Sequence, residues 1–178
     1  MKQVYLLTGM PGTGKTSLIK QAVAGMKGKA GGFYTEEIRS QGIRQGFRLV
    51  TIDGRSAALA HVDLDSPYRV SKYGVDIESI DEVGVSALRR AAGECELVVI
   101  DEIGKMELFS ASFREAVLEI IDSGKRVLGT IMLKPNPLAD AIKRRPEVNL
   151  ITVTRNNHQK VLAELRHWLE AAGSGEGE

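Results

Sequence analysis

Apolar positions along the chain fall into two kinds of pattern, short unbroken runs and stretches in which they recur every three or four residues. QVYLLT (3–8) is a β-branched and aromatic run that stops at glycine, which predicts a buried strand. After a glycine-rich segment, TSLIKQAVAGM sets Leu18, Ile19, Ala22 and Val23 at helical spacing, and GKAGG (28–32) is read as ending that helix. Three strand-like pieces follow, FYTEEIR (33–39), FRLVTI (47–52) and SAALAHV (56–62), divided at Gly42 and at Asp53-Gly54. Asp-Gly between two such runs is a hairpin signal, because that tight turn needs positive φ. This part of the chain is therefore predicted to be antiparallel.

From Ile77 to Ala92 the period becomes helical, with Ile80, Val83, Ala87, Leu88 and Ala91 on one stripe. Beyond it, strand and helix alternate: ELVVID, SFREAVLEIIDS, RVLGTI, PLADAIKRR, LITV and HQKVLAELRHWLEAA. Such alternation indicates βαβ units. The predicted fold is α/β, a mostly parallel central sheet flanked by helices, with an antiparallel hairpin region at about 32–62. The expectation is one domain over residues 1–172, and a disordered tail at 173–178, where GSGEGE has nothing to pack.

Composition changes this picture little. A formal net charge of +1 gives no overall field toward nucleic acid, so such a partner is not required, and a local basic patch stays open. Cys95 is the single cysteine, which rules out an intramolecular disulfide and fits a reducing compartment. No apolar run reaches the roughly 18 residues of a membrane span, and the first one is too short and too interrupted for a signal peptide. A cytoplasmic monomer with no membrane partner is expected.

The chemistry concentrates in two places. GMPGTGKT, residues 9–16, matches G-x-x-x-x-G-K-[ST] between a predicted strand and a predicted helix, the context a phosphate loop requires. Gly9, Met10, Pro11, Gly12, Thr13 and Gly14 supply the curling backbone. Lys15 supplies a point charge for the β- and γ-phosphates, and the Thr16 hydroxyl an oxygen for Mg²⁺. Ser17 is a weaker candidate for the α-phosphate. Nucleoside triphosphates are the implied ligands.

The second place is VVIDEIGKMELF (98–109), where a buried-looking strand runs into Asp101 and Glu102. Adjacent carboxylates at the end of an apolar strand need an opposing charge. Mg²⁺ and Lys15 would provide it, with Asp101 holding the ion through water and Glu102 orienting or deprotonating a water in line with the γ-phosphate. Strand alternation points Glu102 away from Asp101 unless the backbone twists there. Glu107 reads as a surface or helix-capping residue, with the base role as its alternative. For a cation at the transition state, the candidates are Arg39, Arg44, Arg48, Arg69 and the Arg144-Arg145 pair before Pro146. His61 and His167 read as structural, and Trp168 as the anchor of the last helix.

With both parts in hand the chain resembles the small nucleoside-triphosphatases of thermophiles and animals, the family that includes the cancer-related nucleoside-triphosphatase. The resembling segments are GMPGTGKTSL, GGFYTEEIR, GFRLVTIDG, KYGVDIE and VVIDEIGKMELFS, which together span most of residues 3–131. The resemblance implies a Mg²⁺-dependent hydrolase of ATP, GTP and other nucleoside triphosphates with weak base discrimination. It also implies a RecA-like P-loop core in which another strand, RVLGTI, lies between the first strand and the one bearing Asp101. Thr130 would then be a polar sensor near the γ-phosphate. Where relatives tend to have Asn-Arg after the last core strand, this chain has Asn157-His158, so Arg155 or His158 would replace that arginine. Two rivals use the same loop. One is a kinase acting on a nucleoside, nucleotide or polynucleotide end, and the other a nucleotide-dependent switch or nucleic-acid-associated ATPase.

Overall fold

The computed structural model describes residues 2–173. Strands β1 (Val4–Thr8), β2 (Ala30–Ser40), β3 (Ile43–Thr51), β4 (Ser56–His61), β5 (Arg69–Val70), β6 (Tyr73–Val75), β7 (Leu97–Ile103), β8 (Arg126–Ile131) and β9 (Val148–Thr152) form one sheet, in the order β5-β6-β4-β3-β2-β7-β8-β1-β9. The neighbours β2, β7, β8, β1 and β9 are parallel, and β3, β4, β6 and β5 extend the sheet by antiparallel pairing. As the resemblance implied, β8 separates β1 from the strand bearing Asp101.

Helices cover both faces of the parallel part. Leu18, Ile19 and Ala22 of α1 (Lys15–Ala24) join Val161, Leu165, Trp168 and Leu169 of α6 (His158–Gly173) over Leu7, Leu97, Val99 and Leu128. On the other face, α3 (Ser86–Glu94), α4 (Ala111–Asp122) and α5 (Pro137–Lys143) pack over Val4, Leu6, Val98, Ile100 and Val127. Burial on both faces explains why β1, β7 and β8 read as unbroken apolar runs rather than alternating ones. Trp168 is 2 % exposed, stacks on Tyr5 with centroids 4.1 Å apart and donates its indole N–H to Lys2 O at 3.0 Å. It anchors α6 as expected, tying the C-terminal helix to the first strand.

One local reading is corrected and two segments gain detail. Ala30–Gly32 do not terminate α1, which stops at Gly25; they open β2, where parallel pairing to Leu97–Val99 overrides the glycine signal. The helical stripe at 77–92 begins as α2 (Ile77–Ser79) and passes through a π-wound stretch at Ile80–Val85 before α3. Strands β5 and β6, the latter within KYGVDIE (72–78), were not foreseen and pair at the outer edge. Of the expected tail, Gly173 closes α6 and 174–178 lie outside the described residues.

Candidate active site

The site is built at the carboxyl ends of the parallel strands. After Thr8 the chain leaves β1, turns through Gly9–Gly14 and enters α1 at Lys15. Gly14 is the helix N-cap in the left-handed region (φ 83°, ψ 27°), a conformation that disfavours any residue with a Cβ. The Lys15 ammonium folds into the loop and donates to Gly9 O at 3.0 Å and Met10 O at 2.9 Å, with Thr13 Oγ1 at 3.5 Å. Thr13 Oγ1 itself donates to Met10 O at 2.9 Å. A side-chain cation inside a loop that ends on a helix N-terminus forms an anion-binding concavity. Met10, Pro11 and Gly12 make its exposed tip, and Ser17, also exposed, accepts from Gln21 Nε2 at 3.1 Å.

Asp101 reaches this loop from β7. It is 2 % exposed, and its carboxylate accepts from Thr16 Oγ1 at 2.6 Å, from Thr130 Oγ1 at 2.6 Å and from the Thr35 backbone N–H. Burial raises its pKa, while the three donors and the Lys20 charge pull it back down. The register explains how two adjacent acids can serve one site. Ile100 pairs with Gly129 and Ile103 with Ile131, so Asp101 and Glu102 together stand opposite Thr130 alone. This is a bulge, which breaks the alternation of the pleat and re-aims a side chain. The Asp101–Glu102 peptide bond is cis.

Glu102 and Glu107 converge on Gly104. A Cβ built there would lie 2.3 Å from Glu102 Oε1 and 2.9 Å from Glu107 Oε2, so any side chain at this position would displace the two carboxylates from where they now sit. Glu107 is 3 % exposed, not the surface or capping residue expected from sequence. Its carboxylate accepts from the backbone N–H groups of Gly104 and of Glu107 itself. Burial pushes the Glu102 pKa up, Asp101 adds to this, and Lys15 opposes it. Glu107 is pushed well above the ordinary glutamate range, first by burial and then by Glu102.

A stability prediction follows for Glu107. Folded, it holds its proton more tightly than unfolded, so the native state binds more proton between the ordinary glutamate range and the raised value. Its contribution is therefore full below that range and is lost as pH rises through the folded value. Melting of nucleotide-free protein in EDTA, from about pH 5 to about pH 9, should show a decline toward alkaline pH that Glu107→Gln flattens. The variant should be the more stable at the alkaline end, and parallel curves would remove Glu107 as the source.

The remaining candidates divide by position. Thr130 lies within the site through its bond to Asp101. His158, at the start of α6, meets the phosphate loop through Nε2 and Thr13 O. Asn157 shapes the turn before it, accepting from Thr154 N at 2.8 Å and donating to Thr152 O at 2.8 Å, while Arg155 is exposed. The Arg144-Arg145 pair is corrected. β9 runs parallel to β1 with Val148 beside Val4, which puts residues 144–147 at the amino ends of the strands, the edge opposite the loop. There Arg145 is engaged by Asp122 and Glu147. Arg39 and Arg44 pair with Glu37, and Arg69 donates to Leu64 O and Lys72 O.

Sequence reasoning missed β2's part in the site. Besides the Thr35 N–H, Tyr34 lies near enough to Asp101 for that charge to raise its pKa, though burial is the larger cause. Lys20 stands 5.2 Å over the Tyr34 ring and 3.6 Å from Glu36. A signal for Lys20 was present, since it follows Thr16 by four residues and so shares its helix face.

A glycine loop entering a helix, a carboxylate bonded to its threonine, and a strand inserted between the two parts define a P-loop protein of the α/β class. Comparisons with known proteins agree. A family model described as NTPase matches residues 4–166. The nucleoside-triphosphatase THEP1 of Thermotoga sp. (strain RQ2) is 48% identical over 160 residues, 90% of this chain and 91% of that protein. The human cancer-related nucleoside-triphosphatase is 40% identical, covering 93% of this chain and 95% of its own length. The crystal structure of THEP1 from Aquifex aeolicus superposes with a TM-score of 0.87 at 37% identity, over 94% of this chain and 99% of that one. The chain belongs to this NTPase family.

Proposed function

We propose that the protein is a Mg²⁺-dependent nucleoside-triphosphate phosphohydrolase that releases inorganic phosphate and a nucleoside diphosphate, with weak discrimination among bases. The observation that carries this reading is the 2.6 Å bond between Thr16 of the loop and Asp101 of the bulged strand, with Glu102 beside it in the same site. The names of the relatives support the reaction class.

The residues fit a magnesium ion. A hydroxyl and a buried carboxylate in contact are hard oxygen donors, and Mg²⁺ takes one or two such groups together with phosphate oxygens and water. Among the described residues no cluster of three or more His, Cys, Asp or Glu is arranged to hold a metal, which suits an ion that arrives largely with its nucleotide. Thr16 and Asp101 would hold it. When bound, the ion would neutralise charge on the β- and γ-phosphate oxygens.

Lys15 and the loop backbone bind and orient the polyphosphate. The Glu102 carboxylate takes a proton from water as the water oxygen bonds to the γ-phosphorus. The bond from that phosphorus to the β–γ bridging oxygen breaks, and its electron pair leaves with the diphosphate. A raised proton affinity suits Glu102 to this task. Weak base selection is expected because the defining contacts lie at the polyphosphate.

The test is phosphate release with ATP, GTP, CTP and UTP, with and without EDTA and with no acceptor present. Steady release from several nucleotides, lost in EDTA, is expected. Tight nucleotide binding with almost no release would overturn the hydrolase reading and favour a kinase or switch.

A further inference from the structure

The β9–α6 junction touches the phosphate loop at a point that no part of the reaction just described uses. The His158 ring lies against Gly14 so closely that a Cβ there would be 2.6 Å from Cε1. Its Nε2 is bonded to Thr13 O, and because a carbonyl only accepts, that nitrogen carries the hydrogen. The end of β1 that leads into the loop is tied to the same junction, since Val153 N donates to Thr8 O at 2.8 Å. Asn157, bonded to Thr154 N and Thr152 O, fixes the turn that delivers His158.

The peptide plane gives this contact a consequence. In a trans peptide the C=O and the following N–H point in opposite directions. An imidazole that holds the Thr13 carbonyl on the α6 side therefore turns the Gly14 N–H away from α6. Gly14 is the N-cap of α1, so that N–H belongs to the group of unpaired donors at a helix start that bind anions.

We propose that His158 is a positioning residue for polyphosphate binding, setting the Thr13–Gly14 peptide so that the Gly14 N–H is available to a phosphate oxygen. This rests on the phosphate-loop reading above and assigns His158 no contact with the base. Contact with the loop alone requires that His158 influence every nucleotide equally, and a ligand with no base at all.

The experiment measures binding of ATP, GTP, CTP, UTP and inorganic tripolyphosphate to the parent, His158→Ala and His158→Gln, with phosphate release and melting temperature recorded for each. His158→Ala should weaken all five ligands by a similar factor, about tenfold for one lost orienting hydrogen bond. His158→Gln, which carries an N–H at comparable reach, should restore much of that loss. Unchanged affinity in His158→Ala would overturn the proposal, as would a loss that differs among bases and spares tripolyphosphate, which would mark a base contact. A lowered melting temperature with affinity intact would also overturn it, leaving a purely structural role. If His158→Ala does not fold, the His158→Gln affinities decide, since losses as large for a variant that keeps the donor would sink the role. A parent that binds neither nucleotide nor tripolyphosphate would remove the phosphate-loop reading itself.

Discussion

Glu102→Gln should abolish turnover while leaving nucleotide bound. Glutamine keeps the shape of the side chain beside Gly104 and removes its capacity to accept a proton. General-base contributions of this kind are about 10²–10⁴-fold, which corresponds to about 3–5 kcal/mol of barrier. The bulge makes this expectation specific to Glu102. Without the extra residue between the pairs Ile100–Gly129 and Ile103–Ile131, Asp101 and Glu102 would point to opposite faces of β7. The neighbouring acid supplies the control. Glu107 is more buried and shifted further toward the protonated form, and it approaches the same glycine. The deeper burial that raises its pKa further also leaves its carboxyl less open to an attacking water than that of Glu102, so Glu107→Gln should retain most activity. Phosphate release and nucleotide affinity measured on both variants decide the matter. Loss in Glu107→Gln with retention in Glu102→Gln would transfer the base role to Glu107.

Which parts of this site were legible in the sequence follows from how each is encoded. The phosphate loop is local: spacing, flanking strand and flanking helix all lie within about twenty-five residues, and each has its own pattern. The alternation after residue 95 gave the parallel core for the same reason. The place of β8 between β1 and β7 is different, because strand order is not written in periodicity. It came from likeness to a family. The contacts of β2 were not legible. Tyr34 and Thr35 look like any residues of a half-exposed strand, and they meet Asp101 only because β2 pairs with β7 across the sheet. Glu107 was misread for a related reason. An acid in a short loop after a strand is ordinarily exposed, and nothing local in GKMELF shows that this one folds back beside Gly104 into the interior. The Arg144-Arg145 reading failed on direction, since a basic pair before proline says nothing about which edge of a parallel sheet it occupies.

The second large effect concerns Lys15. Its ammonium is held within 3.0 Å of two loop carbonyls, Gly9 O and Met10 O, and it is the cation that lowers the Glu102 pKa. Lys15→Ala takes away the one side-chain charge inside the loop and leaves Glu102 without the cation that opposes its burial. Nucleotide binding should weaken strongly, and turnover should fall by at least about 10²–10³-fold, the scale for removing a single preorganised donor from a developing anion. Lys15→Arg should not restore either property, because a planar fork cannot occupy a pocket shaped for a compact ammonium. Lys20 separates a local effect from a general one. It lies further along α1, is 45% exposed at the side chain, pairs with Glu36 at 3.6 Å and still acts on Asp101 through its charge. If the site needs only positive potential, Lys20→Ala should resemble a mild Lys15→Ala. If it needs an ammonium inside the loop, Lys20→Ala should leave affinity within a few-fold of the parent, since its half-exposed charge is partly screened by solvent and salt. The structure favours the second outcome, because the carbonyl contacts hold the Lys15 ammonium inside the loop, whereas Lys20 lies outside it against Tyr34 and Glu36. Equal losses in the two variants would reverse that assignment.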